Sequence, residues 1–225
     1  MAYPIVEKSL FKFLKDLDKN NNRPWFNENK DRYLVAQQSM KAFTETLVNE
    51  MSYHDNIEGI RLHRIYRDVR FSKDKTPYKA RFSGGMKRAT KWLRGGYYFH
   101  IQPGNSLLAG GFWGPNSPDL KRIRQEIAAD AKPLRKIIKA AKFKKYFGEL
   151  QGDQVKTAPK GYAKDHPNID LLRYKQFLLI HPFTDEEVQQ KNFMKELVKG
   201  YKNMRPFFDY MSEVLTTDSN GVPID

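Results

Sequence analysis

The sequence contains no cysteine, which excludes disulfides, thiolate zinc sites and cysteine nucleophiles. No apolar run approaches the roughly 18 residues that a membrane-spanning helix needs. Residues 1–20 carry apolar side chains at helical spacing among charges, with no apolar core segment and no small-residue cleavage site, so no signal peptide is expected. A cytoplasmic protein without membrane attachment is the resulting expectation. Catalytic fingerprints are also missing: there is no G-x-x-x-x-G-K-[ST], no G-x-S-x-G and no dinucleotide-binding glycine pattern. Gly110-Gly111 reads instead as a close approach of strands and Gly84-Gly85 as a bend. The histidines His54, His63, His100, His166 and His181 include no i,i+4 pair and no metalloprotease-like spacing, so neither a metal nor a cofactor is expected. His166-Pro167 and His181-Pro182 read as loop geometry.

What is present describes a folded, locally charged chain. Hydrophobic residues make up 40% and aromatic residues 13% of 225 positions without low complexity, enough for one sizeable core. One globular domain over residues 1–215 is expected, with 216–225 as a flexible tail. The formal net charge of +14 is not spread evenly. Between Arg61 and Arg94 there are twelve Lys or Arg against Asp68 and Asp74, and between Lys121 and Lys145 ten against Glu126 and Asp130. The rest of the chain is therefore net acidic, and an anionic partner is suggested for the basic segments.

Helical periodicity predicts a helix opened by Pro4 and carrying Leu10, Phe11, Leu14 and Leu17, stopped by Asn20-Asn21-Asn22. A longer one over Glu28–Met51, capped by Asn27, has a single stripe of Tyr33, Ala36, Met40, Phe43, Leu47 and Met51. Alternation predicts strands at 60–71 and 78–82 joined by a charged loop, and a hairpin in which Tyr97, Phe99 and Ile101 turn at Pro103-Gly104-Asn105 into 106–113. Ser117 with Pro118 predicts the next helix start, interrupted at Pro133; a short helix at 169–172 and a buried strand at 177–180 follow. A Thr184–Glu187 capping box opens a helix to about Val198, and Pro206 sits near the start of the last one. Helices at both chain ends and hairpin-connected strands between them give an α+β fold, a central mainly antiparallel sheet with the terminal helices packed against it.

The stretch Arg67-Asp68-Val69-Arg70-Phe71-Ser72-Lys73-Asp74-Lys75-Thr76-Pro77-Tyr78-Lys79 concentrates the signal. Ile65, Val69 and Phe71 alternate with Tyr66, Asp68 and Arg70, assigning the first set to a core and the second to a polar face. Pro77 then forces an irregular, charged loop on a rigid edge. Preceded by Arg64-Ile65, this string resembles the signature of a microbial family known as domain of unknown function 2461. Asn21-Asn22-Arg23-x-Trp25-Phe26 with Asn29-Lys30, Tyr97-Tyr98-Phe99-His100-Ile101, and Pro159-Lys160-Gly161-Tyr162 through His166-Pro167 are similar to it as well. The resemblance covers most of the chain. It implies one globular domain of helices and strands with a shared surface, and it carries over no activity.

Three chemistries suit these residues. Arg67, Arg70, Lys73, Asp74, Lys75, Tyr78 and Lys79 form a ligand-binding set for a phosphate or carboxylate, with Asp68 orienting Arg70. The plainer reading is a solvated strand end whose charges pair among themselves and discourage edge aggregation. Asp68 with His100 is a candidate general-base pair for a phosphoester-directed enzyme, although flanking arginines suit Asp68 better to an ion pair. Lys132, Arg135, Lys136, Lys139 and Lys142 fall at helical spacing as a stripe for a polyanion such as nucleic acid; a solvated helix face is the alternative. The sequence sets no oligomeric state.

Overall fold

The longest periodic segment is a helix in the computed structural model, which describes residues 3–218 and 220–224. In chain order the elements are α1 (Lys8–Lys19), α2 (Arg23–Glu28), α3 (Lys30–Ser52), β1 (Ile57–Leu62), β2 (Phe82–Arg88), β3 (Gly96–Ile101), β4 (Ser106–Phe112), α4 (Ser117–Ala129), α5 (Lys132–Lys139), α6 (Ala141–Phe147), α7 (Ile169–Leu172), β5 (Phe177–Phe183), α8 (Asp185–Val188) and α9 (Phe193–Thr216). The strands form one antiparallel sheet in the order β1-β2-β3-β4-β5, an α+β architecture. The expected hairpin is β3–β4; Gly104 turns it at φ 74°. No helix among the described residues is long and apolar enough to cross a membrane.

The chain divides into two compact units, Met1–Lys87 with Tyr98–Leu108 and Pro182–Lys199, and Arg88–Tyr97 with Ala109–His181 and Gly200–Asp225. In the first, the buried stripe of α3 makes the core. Tyr33 stacks parallel on Phe82 at 6.2 Å, and Phe43 lies between Phe99 and Phe193 at 6.3 and 5.9 Å. A Cβ on Gly84 would meet the Phe99 ring at 2.9 Å, so this glycine admits an aromatic side chain. In the second unit, Tyr97 packs against Tyr201 and Phe208 at 5.0 Å each. Gly110 lies against Met204 and Phe208 of α9, and a Cβ there would overlap both. Arg88, with no exposed side-chain surface, donates to the Arg94 carbonyl at 3.0 Å, Ser212 Oγ at 3.2 Å and Asp209 Oδ1 at 2.9 Å.

Several local expectations shift. Asn27, expected to cap the long helix, lies inside α2, and Asn29 precedes α3 without a side-chain cap bond; α2 itself is capped by Asn22, which accepts from the Trp25 N–H at 3.0 Å, while Glu7 precedes α1 in place of Pro4. Asn116 and not Ser117 caps α4, accepting from the Asp119 N–H at 2.8 Å, because Pro118 then falls in the first turn where its missing donor costs nothing. The Thr184–Glu187 box closes with bonds of 3.2 and 2.8 Å, yet its helix ends at Val188. Helix α9 starts at Phe193 and runs through Pro206. A helix interior normally loses about 3 kcal/mol or more to proline. Burial of Leu197, Tyr201, Met204, Phe207, Phe208 and Met211 outweighs that loss. Past α9, Asp218 Oδ1 accepts from the Asn220 and Val222 N–H groups at 2.8 and 2.9 Å, and the Ile224 N–H donates to the Thr216 carbonyl at 2.9 Å.

The strands expected at 60–71 and 78–82 are the largest correction. β1 ends at Leu62 and β2 begins only at Phe82; between them one antiparallel bridge pairs Tyr66 with Tyr78. Ile65 is buried as expected, but Phe71 is 95% exposed. The cause is Asp68: its Oδ1 accepts from the Arg70 N–H at 3.2 Å, a local side-chain turn that competes with strand pairing and swings the chain outward.

Candidate functional site

The Arg67 N–H donates to the Pro77 carbonyl at 2.9 Å and the Lys79 N–H to the Ile65 carbonyl at 2.8 Å, closing residues 68–76 into a loop with a two-rung neck. The Asn21 side chain holds this neck. Its Nδ2 donates to the Tyr78 carbonyl at 3.0 Å and its Oδ1 accepts from the Tyr78 N–H at 3.1 Å, an amide acting as a short extra strand. Tyr78 is buried with its ring stacked on Phe26 at 4.0 Å. The Asn21-Asn22-Arg23-x-Trp25-Phe26 segment thus supplies the clamp, the α2 cap and the stacking platform. Tyr78 is an anchor of the site.

Beside this neck lies a recess of about 220 Å³ with Arg67, Lys79 and Arg81 in its wall. Asn21, Thr76 and Gln102 add neutral polar groups, and Asp18 and Asp74 add carboxylates. Asp74 is already engaged: Oδ1 accepts from Thr76 Oγ1 at 2.7 Å and the Thr76 N–H at 2.9 Å, and Oδ2 lies 3.0 Å from Arg67 Nη2. The Thr76 bonds, with Arg67 behind them, hold the Asp74 carboxyl below its ordinary range. Lys79 and Arg81 have no ion pair among the described residues. Nε of Arg67 and Nε of Arg81 are buried without a hydrogen-bond acceptor. Burial first, then Arg81, Arg67 and Arg64, pushes the Lys79 pKa below the ordinary lysine value. Like charges held together in partial burial, with donors unsatisfied, cost the folded protein stability.

Lys79 and Arg81 also act on His63, whose Nδ1 lies 3.1 Å from Ser83 Oγ. Burial, Lys79, Arg61 and Arg81 lower its pKa, in that order. His63, Arg81, Asn21 and Gln102 are the functional neighbours that sequence reasoning left out. Arg81 stands two residues from Lys79 in an alternating run and was accessible to the same argument; Asn21 lies in a recognised segment; His63 carries no signal of its own.

The remaining candidates lie elsewhere. Arg70 is bound by Asp68, Nη2 to Oδ2 at 2.6 Å and Nε to Oδ1 at 3.0 Å, with 75% of its side chain exposed. These bonds hold the Asp68 carboxyl below its ordinary range. Lys75 Nζ donates to the Val69 carbonyl at 2.9 Å, and Lys73 is exposed outside the recess. Buried His100 donates from Nε2 to the Asn105 carbonyl at 2.5 Å while Nδ1 lies 3.3 Å from the Tyr98 hydroxyl, so both nitrogens are engaged. Asp68 is bonded to Arg70 and His100 to Asn105 and Tyr98, and among the described residues no hydrogen bond or ion pair joins Asp68 to His100. Lys132, Arg135, Lys136 and Lys139 lie on α5 but Lys142 on α6, and Arg135 forks onto Asp170 at 2.6 and 2.9 Å. Among the described residues no three His, Asp or Glu side chains gather to hold a metal ion.

Fold and recess together define an α+β protein distinguished by a cation-lined pocket where a charged loop leaves the sheet. The family model described as conserved hypothetical protein, DUF2461, matches residues 9–210, and the chain belongs to that family. No curated protein and no solved structure matches it.

Proposed function

We propose that the protein binds a small phosphate- or carboxylate-bearing ligand in the recess formed by Arg67, Lys79 and Arg81. The observation that carries this reading is the convergence of Arg67, Lys79 and Arg81 on one recess wall, with neither Lys79 nor Arg81 in an ion pair among the described residues. A phosphate or carboxylate in the recess would accept from these cations and offset their mutual repulsion. The volume, about 220 Å³, lies below the ~300–1,000 Å³ usual for drug-sized ligands and suits a compact anionic group. Recognition is therefore assigned to Arg67, Lys79 and Arg81, with Asn21 and Thr76 holding the wall, and not to the exposed Arg70, Lys73 and Lys75.

Calorimetric titration with sulfate, phosphate and acetate tests this. Hydrogen bonds to charged groups contribute about 1.5–3 kcal/mol, so Lys79→Ala or Arg81→Ala is expected to weaken binding by about tenfold or more. Arg70→Ala with Lys75→Ala is expected to leave affinity within about twofold, the scale of exposed charges. The opposite ranking would transfer the function to the loop surface.

A further inference from the structure

The recess does not end at its cations. A neighbouring recess of about 380 Å³ shares Asp18, Ala80 and Gln102 with it and continues toward Gly104 and Asp185. Asp185 at the far end is already engaged: its Oδ1 accepts from the Gly104 N–H at 2.7 Å and its Oδ2 lies 3.4 Å from Lys15 Nζ. Asp18, in the shared part, is different. Its carboxylate has no ion pair or hydrogen bond among the described residues, and it does not figure among the charges that act on Lys79. The trough thus offers Lys79 and Arg81 without an ion pair in one recess and, in the part that both recesses share, an exposed carboxylate without a protein partner among the described residues.

A simple anion would leave Asp18 idle and would meet it as a like charge on entry. A molecule bearing an amine as well turns that repulsion into attraction, in the part of the trough that both recesses share. Resting on the anion-recess reading, we propose that the natural ligand is a small zwitterion: its phosphate or carboxylate meets Arg67, Lys79 and Arg81, and a primary ammonium on the same molecule meets Asp18. Discrimination then has two parts. The cations hold the acidic group, and Asp18 rejects doubly anionic molecules that lack the amine.

Matched probes separate the two parts. Phosphoethanolamine against ethyl phosphate, and β-alanine against propionate, each differ only in an ammonium that replaces a terminal hydrogen. Each pair is titrated into the native protein, Asp18→Asn and Lys79→Ala. Asp18 is exposed and unpaired, so its substitution leaves the fold intact. The expected result is that at least one amine-bearing probe binds about three- to tenfold tighter than its partner, as a charge-assisted contact at an open site supplies. Asp18→Asn abolishes that advantage without weakening the plain anions, and Lys79→Ala weakens every probe. If plain anions bind in a Lys79-dependent way but the amine adds nothing, or its gain survives Asp18→Asn, the zwitterion is overturned and the anion recess stands. If no probe binds in a Lys79-dependent way, the recess reading falls and takes the zwitterion with it.

Discussion

Replacing Asn21 by alanine is the most informative perturbation of the scaffold, because one side chain holds the neck of the loop through two backbone bonds of 3.0 and 3.1 Å. Both are partly buried, and each is worth about 0.5–1.5 kcal/mol net, so the variant is expected to lose about 1–3 kcal/mol. For a chain of this size that is about 2–4 °C in Tm per kcal/mol. Lys79 follows Tyr78 directly, so a loosened neck also misplaces a recess cation, and sulfate affinity falls together with stability. Asn22→Ala is the control. It removes the α2 cap, costs about 1 kcal/mol by the usual value of such caps, and leaves sulfate binding alone. Urea midpoints and calorimetry on the three proteins read both quantities. An Asn21→Ala protein within about 0.5 kcal/mol of native and with unchanged sulfate affinity would refute the clamp, since that change is no more than an ordinary surface substitution makes.

Lys79 carries a pH signature with two opposed signs. Its pKa is lowered by folding, so between the folded value and the ordinary one near 10.5 the unfolded chain binds more protons, and the anion-free protein gains stability as pH rises. Sulfate, which does not titrate there, is expected to lose affinity across the same window; parallel rather than opposed trends would contradict the assignment. His63 is likewise depressed, by burial first and then by Lys79, Arg61 and Arg81, so saturating sulfate is expected to raise its NMR titration midpoint, and no movement would place the anion elsewhere. Arg88→Leu is expected to cost about 2–4 kcal/mol in urea unfolding, less than the 3–5 of a fully buried pair because Asp209 is half exposed. Single-stranded oligonucleotides are expected to be indifferent to Lys136→Ala with Lys139→Ala; a salt slope flattened by about 1–2 units would return function to the α5–α6 surface.

Periodicity made the helices and the β3–β4 hairpin legible, because both depend on apolar spacing that packing then enforces: the α3 stripe is the stripe that meets Phe82 and Phe99. Proline was a poorer guide. Pro206 marks no helix start, since the surrounding burial overrides one lost bond. The charged string located the neighbourhood of the site but not its membership. Alternation assumed a continuous strand through Phe71, whereas β1 ends at Leu62 and, past the Tyr66–Tyr78 bridge, the Asp68 turn leaves Arg70, Lys73 and Lys75 exposed. Arg67 and Lys79, on the paired neck, stay at the recess. Gln102 and Asp18 come from distant elements, and nothing in their local sequence announces that they share a wall with Lys79.

The most direct test is a crystal structure grown or soaked in sulfate. An anion is expected in the recess within hydrogen-bond reach of Lys79 Nζ and of the Arg67 and Arg81 guanidinium groups, removed by Arg81→Ala. An anion bound instead on Arg70, Lys73 and Lys75, with the recess empty, would contradict the assignment.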